Sequence, residues 1–225
     1  MIISHTGALI FIKTRKVGGT SFEIALSRQC GPECVITPIT PEDEALRRGL
    51  GYRTAQNYID TEWGARGQGA PGRFRSHTPA AQVRAMIPEA VWRGYRKLAI
   101  YRNPFDVEIS RYYWRGGPGS GLSFGAFCAR TIGKVPINSE IAPLAGPAAM
   151  DVFLRYERLE EDLSAHGLGD LWESFRRIRA KAHTRPARGA SPETLYRAHP
   201  EALDLVAERW REEIAFFGYT PPDIA

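Results

Sequence analysis

The stretch ALIFIKTRKVGGTSFEIAL, residues 8–26, carries the order strand, loop, helix. Ala8 to Ile12 is a short unbroken apolar run, which reads as a strand covered on both faces, as in a parallel sheet. Lys13 to Gly19 is a polar loop ending in two glycines. Thr20 opens an amphipathic helix with Phe22, Ala25 and Leu26 on its apolar face. The first amides of such a helix have no internal acceptor and sit at the positive end of its dipole, so the junction suits an anion. Gly18 and Gly19 allow close backbone approach. Thr20 and Ser21 add hydroxyl donors, and Lys16 adds a charge at the crest. The order Lys16-Val17-Gly18-Gly19-Thr20-Ser21 is not Walker A, in which the lysine follows the last glycine.

Outward from this stretch, a second strand–turn–helix unit occupies residues 97–114. Lys97 to Tyr101 is the strand, Arg102-Asn103-Pro104 the turn and Phe105 to Trp114 the helix, with Pro104 where a proline costs no hydrogen bond. Arg102 falls at the carboxyl end of its strand, where ligands of open α/β sheets bind. Ser110 follows about two helical turns into the next helix. An arginine fork and a serine hydroxyl are both suited to phosphate oxygens. Val152 to Tyr156 reads as a third strand and Leu159 to Leu163 begins a helix. Ala80 to Tyr95 reads as helix broken near Pro88. Leu203, Val206, Ala207, Trp210 and Ile214 are spaced for one last helix ending at Gly218. Pro38 to Gly72 is polar and irregular, with a glycine-rich loop at Gly64 to Gly72, and Gly116 to Gly121 is a second flexible loop. Strands alternating with helices predict an α/β fold with a central, largely parallel sheet. No internal repeat is present, and residues 1–225 read as a single domain.

Composition narrows the class. The chain has 225 residues, 43% hydrophobic and 24% charged, as in soluble globular proteins. The net charge of +5 suits anionic ligands, but the 30 basic residues are spread among 25 acidic ones. No basic stripe marks a nucleic-acid surface, so no nucleic-acid partner is expected. Cys30, Cys34 and Cys128 are too few for a disulfide framework, and no second pair completes a metal site with Cys30 and Cys34. Met1 to Leu9 lacks the pattern of a signal peptide, and no apolar run is long enough to cross a bilayer, so a cytoplasmic location is expected.

Taken together, the two units resemble the nucleotide motifs of the 3′-phosphoadenosine 5′-phosphosulfate (PAPS)-dependent sulfotransferases. Lys16-Val17-Gly18-Gly19-Thr20-Ser21 resembles their 5′-phosphosulfate loop, and Arg102-Asn-Pro-Phe-Asp106 with Ser110 and Tyr112 resembles their 3′-phosphate motif. The branch it looks like is the carbohydrate group, which includes heparan sulfate 2-O-sulfotransferase and bacterial relatives. Tyr156-Glu157-Arg158-Leu159 and Phe216-Phe-Gly-Tyr219 resemble two later segments of that branch. Thr14-Arg15 stands where many relatives have an apolar–proline pair, and Val107 where a basic residue is common. The resemblance implies a P-loop-like three-layer fold, PAPS as co-substrate, 3′-phosphoadenosine 5′-phosphate as product, and a hydroxyl-bearing acceptor, in that branch a carbohydrate. It implies no metal. Lys13, Arg15 and Lys16 are the cations near the sulfate, and alignment on the two glycines selects Lys16. A late loop closes over the nucleotide in the family, which draws attention to Arg185 and Arg188 in the basic run Lys181 to Arg188.

Sulfuryl transfer needs a cation at the leaving phosphate and a base at the acceptor hydroxyl. Histidine suits the second task near neutral pH. Of the five histidines, His77 lies between the two phosphate motifs and just before a helix. The resemblance puts the family's catalytic histidine in such a segment. Glu62 and Asp60, in the preceding loop, are the alternative bases. Tyr112, Tyr113 and Trp114 share one helix and read as core, with a sugar-facing wall as the alternative. Two rival functions use the same features. A P-loop phosphotransferase would share the strand–loop–helix, and a non-enzymatic anion-binding module would share the charge.

Overall fold

The computed structural model describes residues 1–59, 73–178 and 191–224. It is an α/β structure with a five-stranded mixed sheet flanked by helices. Two compact units divide the chain: Met1–Tyr101 with Glu140–Ala180, and Arg102–Ser139 with Lys181–Ala225.

The first unit holds the sheet. Its strands are β1 (Ile2–Ser4), β2 (Leu9–Phe11), β3 (Val35–Ile36), β4 (Arg96–Tyr101) and β5 (Val152–Arg155), in the order β3-β1-β2-β4-β5. The three strands read from apolar runs, β2, β4 and β5, pair in parallel, with Phe11 opposite Leu98 and Ile100 opposite Leu154. The sheet as a whole is not largely parallel, because β1 runs antiparallel to both β2 and β3. A short link from Ser4 to Leu9 cannot carry a parallel crossover, so β1 and β2 form a hairpin.

Helix α1 (Gly19–Ser27) follows β2, and all nine of its residues are buried. Only an apolar stripe was expected, so the burial of Glu23 and Ser27 is a departure. Ser27 returns its hydroxyl to Ile24 O at 2.7 Å. Helix α2 (Pro41–Gly49) falls within a stretch expected to be irregular. Thr40 caps it, accepting from Asp43 N at 3.3 Å, and Glu42, Asp43 and Glu44 sit in its first turn. Both features favour a helix start. Helices α3 (Ala80–Met86) and α4 (Glu89–Gly94) are separated at Pro88, as the proline predicts. After β4 and β5 come α8 (Leu159–Ala165) and α9 (Gly169–Phe175), and α9 packs on α1. The core of this unit joins Phe11, Phe22, Leu98, Ile100, Leu154, Leu163 and Leu171.

The second unit is helical. Helix α5 (Pro104–Trp114) has Pro104 in its first turn and Asn103 as its cap. It is followed by α6 (Phe124–Thr131), and α7 (Asn138–Ile141) begins in this unit and ends in the first. Beyond lie α10 (Pro192–Ala198), α11 (Glu201–Arg209) and α12 (Arg211–Phe217). The single last helix expected from the spacing is two helices. The chain breaks at Trp210, which is 2% exposed and donates its indole N–H to Glu108 Oε1 at 3.0 Å. Gly218 ends α12 in the left-handed region (φ 66°), as expected of a glycine there. Phe105, Tyr112, Phe124, Tyr196, Val206 and Trp210 form this unit's core. Tyr112 is thus core, with its hydroxyl on Leu122 O at 2.7 Å, whereas Trp114 is exposed. No helix among the described residues is long and apolar enough to cross a membrane.

Candidate functional site

The loop between β2 and α1 is built from the strand end upward. Ile12 continues the β4 ladder, its amide donating to Leu98 O at 2.9 Å. Thr14 makes the next link with its side chain, donating its hydroxyl to Ile100 O. Lys13, between them, carries its ammonium under α1, where it pairs with the buried carboxylate of Glu23. Glu23 also accepts from the Met1 amine and from the Thr37 hydroxyl, the latter at 3.3 Å. Burial opposes charge on Glu23, but Lys13 and the Met1 amine outweigh it and hold the carboxyl down at about 2.

The crest follows. Lys16 adopts φ 63°, left-handed for a residue with a side chain, and Gly18 adopts φ 74° as the residue before α1. A side chain on Gly18 would come within 3.0 Å of the Tyr156 ring, and one on Gly19 within 3.0 Å of Lys13 Cγ. A Cβ at either position would press on its neighbour, and at Gly18 it would also meet the positive φ. The first intrahelical bond runs from Phe22 N to Gly18 O at 3.1 Å. The amides of Gly19, Thr20 and Ser21 consequently have no acceptor within the helix. Where Thr40, Asn103, Ser123 and Ser191 place a side-chain oxygen on their helix amides, Gly18 has none to place. Val17 is fully buried and Thr20 and Ser21 nearly so, while Arg15 and Lys16 are half-buried.

His77 is brought to this loop from 64 residues away in sequence: its Nδ1 lies 2.9 Å from Lys13 O. A carbonyl can only accept, so Nδ1 carries the proton and Nε2 keeps its lone pair. The turn holding the ring is locked by Thr78, whose hydroxyl accepts from Arg75 N (2.7 Å) and donates to Arg75 O (3.0 Å). Burial, reinforced by the charges of Lys13 and Arg15, lowers the imidazole to about 4 against the bond to Lys13 O. The ring is therefore neutral at physiological pH.

Neither a known family model nor a curated protein matches this chain.

In the first unit the structure brings together Lys16 to Ser21 and His77. Arg102 and Ser110 belong to the second unit, on and just before α5. Arg102 forms an ion pair with Asp106, one turn along, and both are half-buried. Asp60, Glu62, Arg185 and Arg188 lie outside the described residues. Cys30 and Cys34 are buried, and no group of three or more His, Cys, Asp or Glu side chains able to hold a metal occurs among the described residues. Sequence reasoning missed three placements: Glu23, Thr14 and Tyr156. A buried position for Glu23 had a signal in hindsight, since it neighbours Phe22 and Ile24 on a helix entered from a covered strand. Tyr156 was marked by the motif resemblance, but its place against Gly18 had no signal.

Proposed function

We propose that the chain is a PAPS-dependent sulfotransferase with a P-loop-like nucleotide site, acting on an acceptor hydroxyl, in keeping with the branch it resembles a carbohydrate hydroxyl. The observation that carries the reading is the bond from His77 to the carbonyl of Lys13. It brings a neutral imidazole with an available Nε2 to the start of an uncapped, glycine-bearing loop at a helix N-terminus. An anion site and a base at one loop are what sulfuryl transfer requires.

In the proposed reaction the acceptor oxygen attacks sulfur in line with the bond to the 5′-phosphate. That sulfur–oxygen bond breaks as the new one forms, and 3′-phosphoadenosine 5′-phosphate leaves. The acceptor proton passes to His77 Nε2. The amides of Gly19 to Ser21 and the ammonium of Lys16 neutralise charge growing on the leaving phosphate, where a contact acts on the transition state more than on the ground state. Lys13 is a poorer choice for that cation because its ammonium is committed to Glu23 beneath the helix. The 3′-phosphate role of Arg102 and Ser110 rests on the motif resemblance.

Calorimetry tests the reading. 3′-Phosphoadenosine 5′-phosphate should bind more tightly than AMP, and Arg102→Ala should remove most of that preference by taking away the 3′-phosphate's charged partner. Equal affinities in the unaltered protein would count decisively against it. A P-loop phosphotransferase would instead require magnesium and turn over ATP.

A further inference from the structure

The Thr78 turn holds the backbone of His77, and the strand end supplies the group that holds its ring. Residues in a strand alternate in the direction of their amide and carbonyl. Ile12 directs its amide at β4, so the Lys13 carbonyl is directed away from it. The β1–β2 register ends at Ile2 opposite Phe11, so Lys13 lies beyond the hairpin pairing. Its carbonyl is bonded by His77 Nδ1 at 2.9 Å. Its direction depends on what grips the chain on either side. The Thr14 hydroxyl grips β4 at Ile100 O, and Thr14 is 1% exposed. The Lys13 side chain grips α1 through Glu23, with both groups buried, and its stem fills the space against Gly19.

We infer that Thr14, together with the Lys13–Glu23 ion pair, is a positioning device for His77: it aims the Lys13 carbonyl, which fixes the imidazole with its proton on Nδ1 and its lone pair on Nε2. Thr14 touches neither nucleotide nor acceptor in this scheme and acts only through the carbonyl beside it. The inference about His77's tautomer stands on geometry alone; its consequence for turnover rests on the sulfotransferase reading.

The test separates the two. Nitrogen-15 NMR of the unliganded protein at neutral pH reads the tautomer of His77 directly. The unaltered protein should show the Nδ1–H form alone. Thr14→Val keeps the shape and removes the hydroxyl, so a mixture of tautomers should appear, while Thr14→Ser should restore the single form. With PAPS and an accepted hydroxyl compound, Thr14→Val should lower kcat about tenfold or more, the scale on which small misplacements act. Affinity for 3′-phosphoadenosine 5′-phosphate should stay within about twofold, because the loop amides are untouched. A Thr14→Val protein with an unchanged tautomer overturns the inference. Should that variant not fold, Lys13→Met with Glu23→Gln takes its place, since a neutral pair of similar shape tolerates burial. A mixed tautomer there supports the device and an unchanged one overturns it. If no sulfuryl transfer is found in any form, the proposed function fails and the NMR result still decides the role of Thr14.

Discussion

Lys16 and Lys13 lie three positions apart and have opposite surroundings. Lys16 sits half-buried at the crest with a left-handed backbone, and Lys13 is buried against Glu23. Replacing them should therefore fail in different ways. Lys16→Ala should lower kcat on the order of 100-fold, as loss of an oxyanion donor does, and leave nucleotide affinity within a few-fold. Lys13→Ala should lower stability by at most about 3–5 kcal/mol, because it leaves the buried Glu23 carboxylate with the Met1 amine and the Thr37 hydroxyl alone. Steady-state kinetics and urea denaturation of the two variants read the contrast. If Lys13→Ala folds normally and loses turnover while Lys16→Ala does not, the loop cation is misassigned. His77 makes a second prediction at this scale. Its burial lowers it to about 4, so the acid limb of kcat/KM should have its midpoint near pH 4. A midpoint at the ordinary imidazole value of 6.5 would remove His77 as the base in this environment.

Helix α1 is the element on which the site depends. It starts after a glycine with no side-chain cap, and under the proposed function its first amides meet the phosphosulfate. Gly18→Ala imposes two penalties: a left-handed backbone with a Cβ, about 1–2 kcal/mol, and a clash with Tyr156. Gly167 supplies the control. It has φ 70° and nothing within 4 Å of an added Cβ. Gly167→Ala should show a backbone penalty of the same order and bind 3′-phosphoadenosine 5′-phosphate normally, whereas Gly18→Ala should lose binding at least tenfold, given that anion contact depends on close backbone approach. Equal binding by the two variants would show that the junction does not hold the nucleotide. Tracing α1 also shows how far local pattern reaches. Its start was legible from the glycines and Thr20. Its complete burial was not, because Glu23 owes its place to Lys13, Thr37 and the Met1 amine, which other strands deliver.

For the molecule as a whole, the buried ionisable groups of the site set its response to acid. His77 is held below its ordinary value, so the fold favours its neutral form. Its contribution is complete above 6.5 and is lost as pH falls through about 4. Glu23 is held down from 4.5 to about 2, so its contribution is complete above 4.5 and is lost as pH falls towards 2. Glu108, in the second unit, is raised by burial against Arg111 and Trp210, so its share changes in the opposite sense and weakens as pH rises through its folded value. Urea midpoints should fall between pH 6.5 and 4, with a His77 share of up to about 1.4 kcal/mol per pH unit. His77→Gln should flatten that interval and leave the loss below pH 4 in place. An unaltered slope in the variant would mean that His77 titrates alike in the folded and unfolded chain.

By itself the sequence determined the α/β class, strands read at 8–12, 97–101 and 152–156 and found within a residue or so of those bounds, helices read from Thr20 and Phe105 and found to start one residue earlier, the break at Pro88 and the stop at Gly218. Each rests on a local cause: an apolar run, a proline without an amide, or a glycine free to take a positive φ. Residue type and order, together with the motif resemblance, singled out Lys16 and His77 as candidates. Tertiary structure alone decided the rest. Strands β1 and β3 are three and two residues long and lack the five-residue apolar run that marked β2, so their place shows only in their pairing. Trp210 splits the last helical run because Glu108, 102 positions away, binds its indole. The ammonium of Lys13 is taken up by a carboxylate ten positions on, and the tautomer of His77 follows from its bond to the carbonyl of Lys13. Charge pairs and carbonyl contacts of this kind are properties of where strands end and which faces close, and no local pattern encodes them.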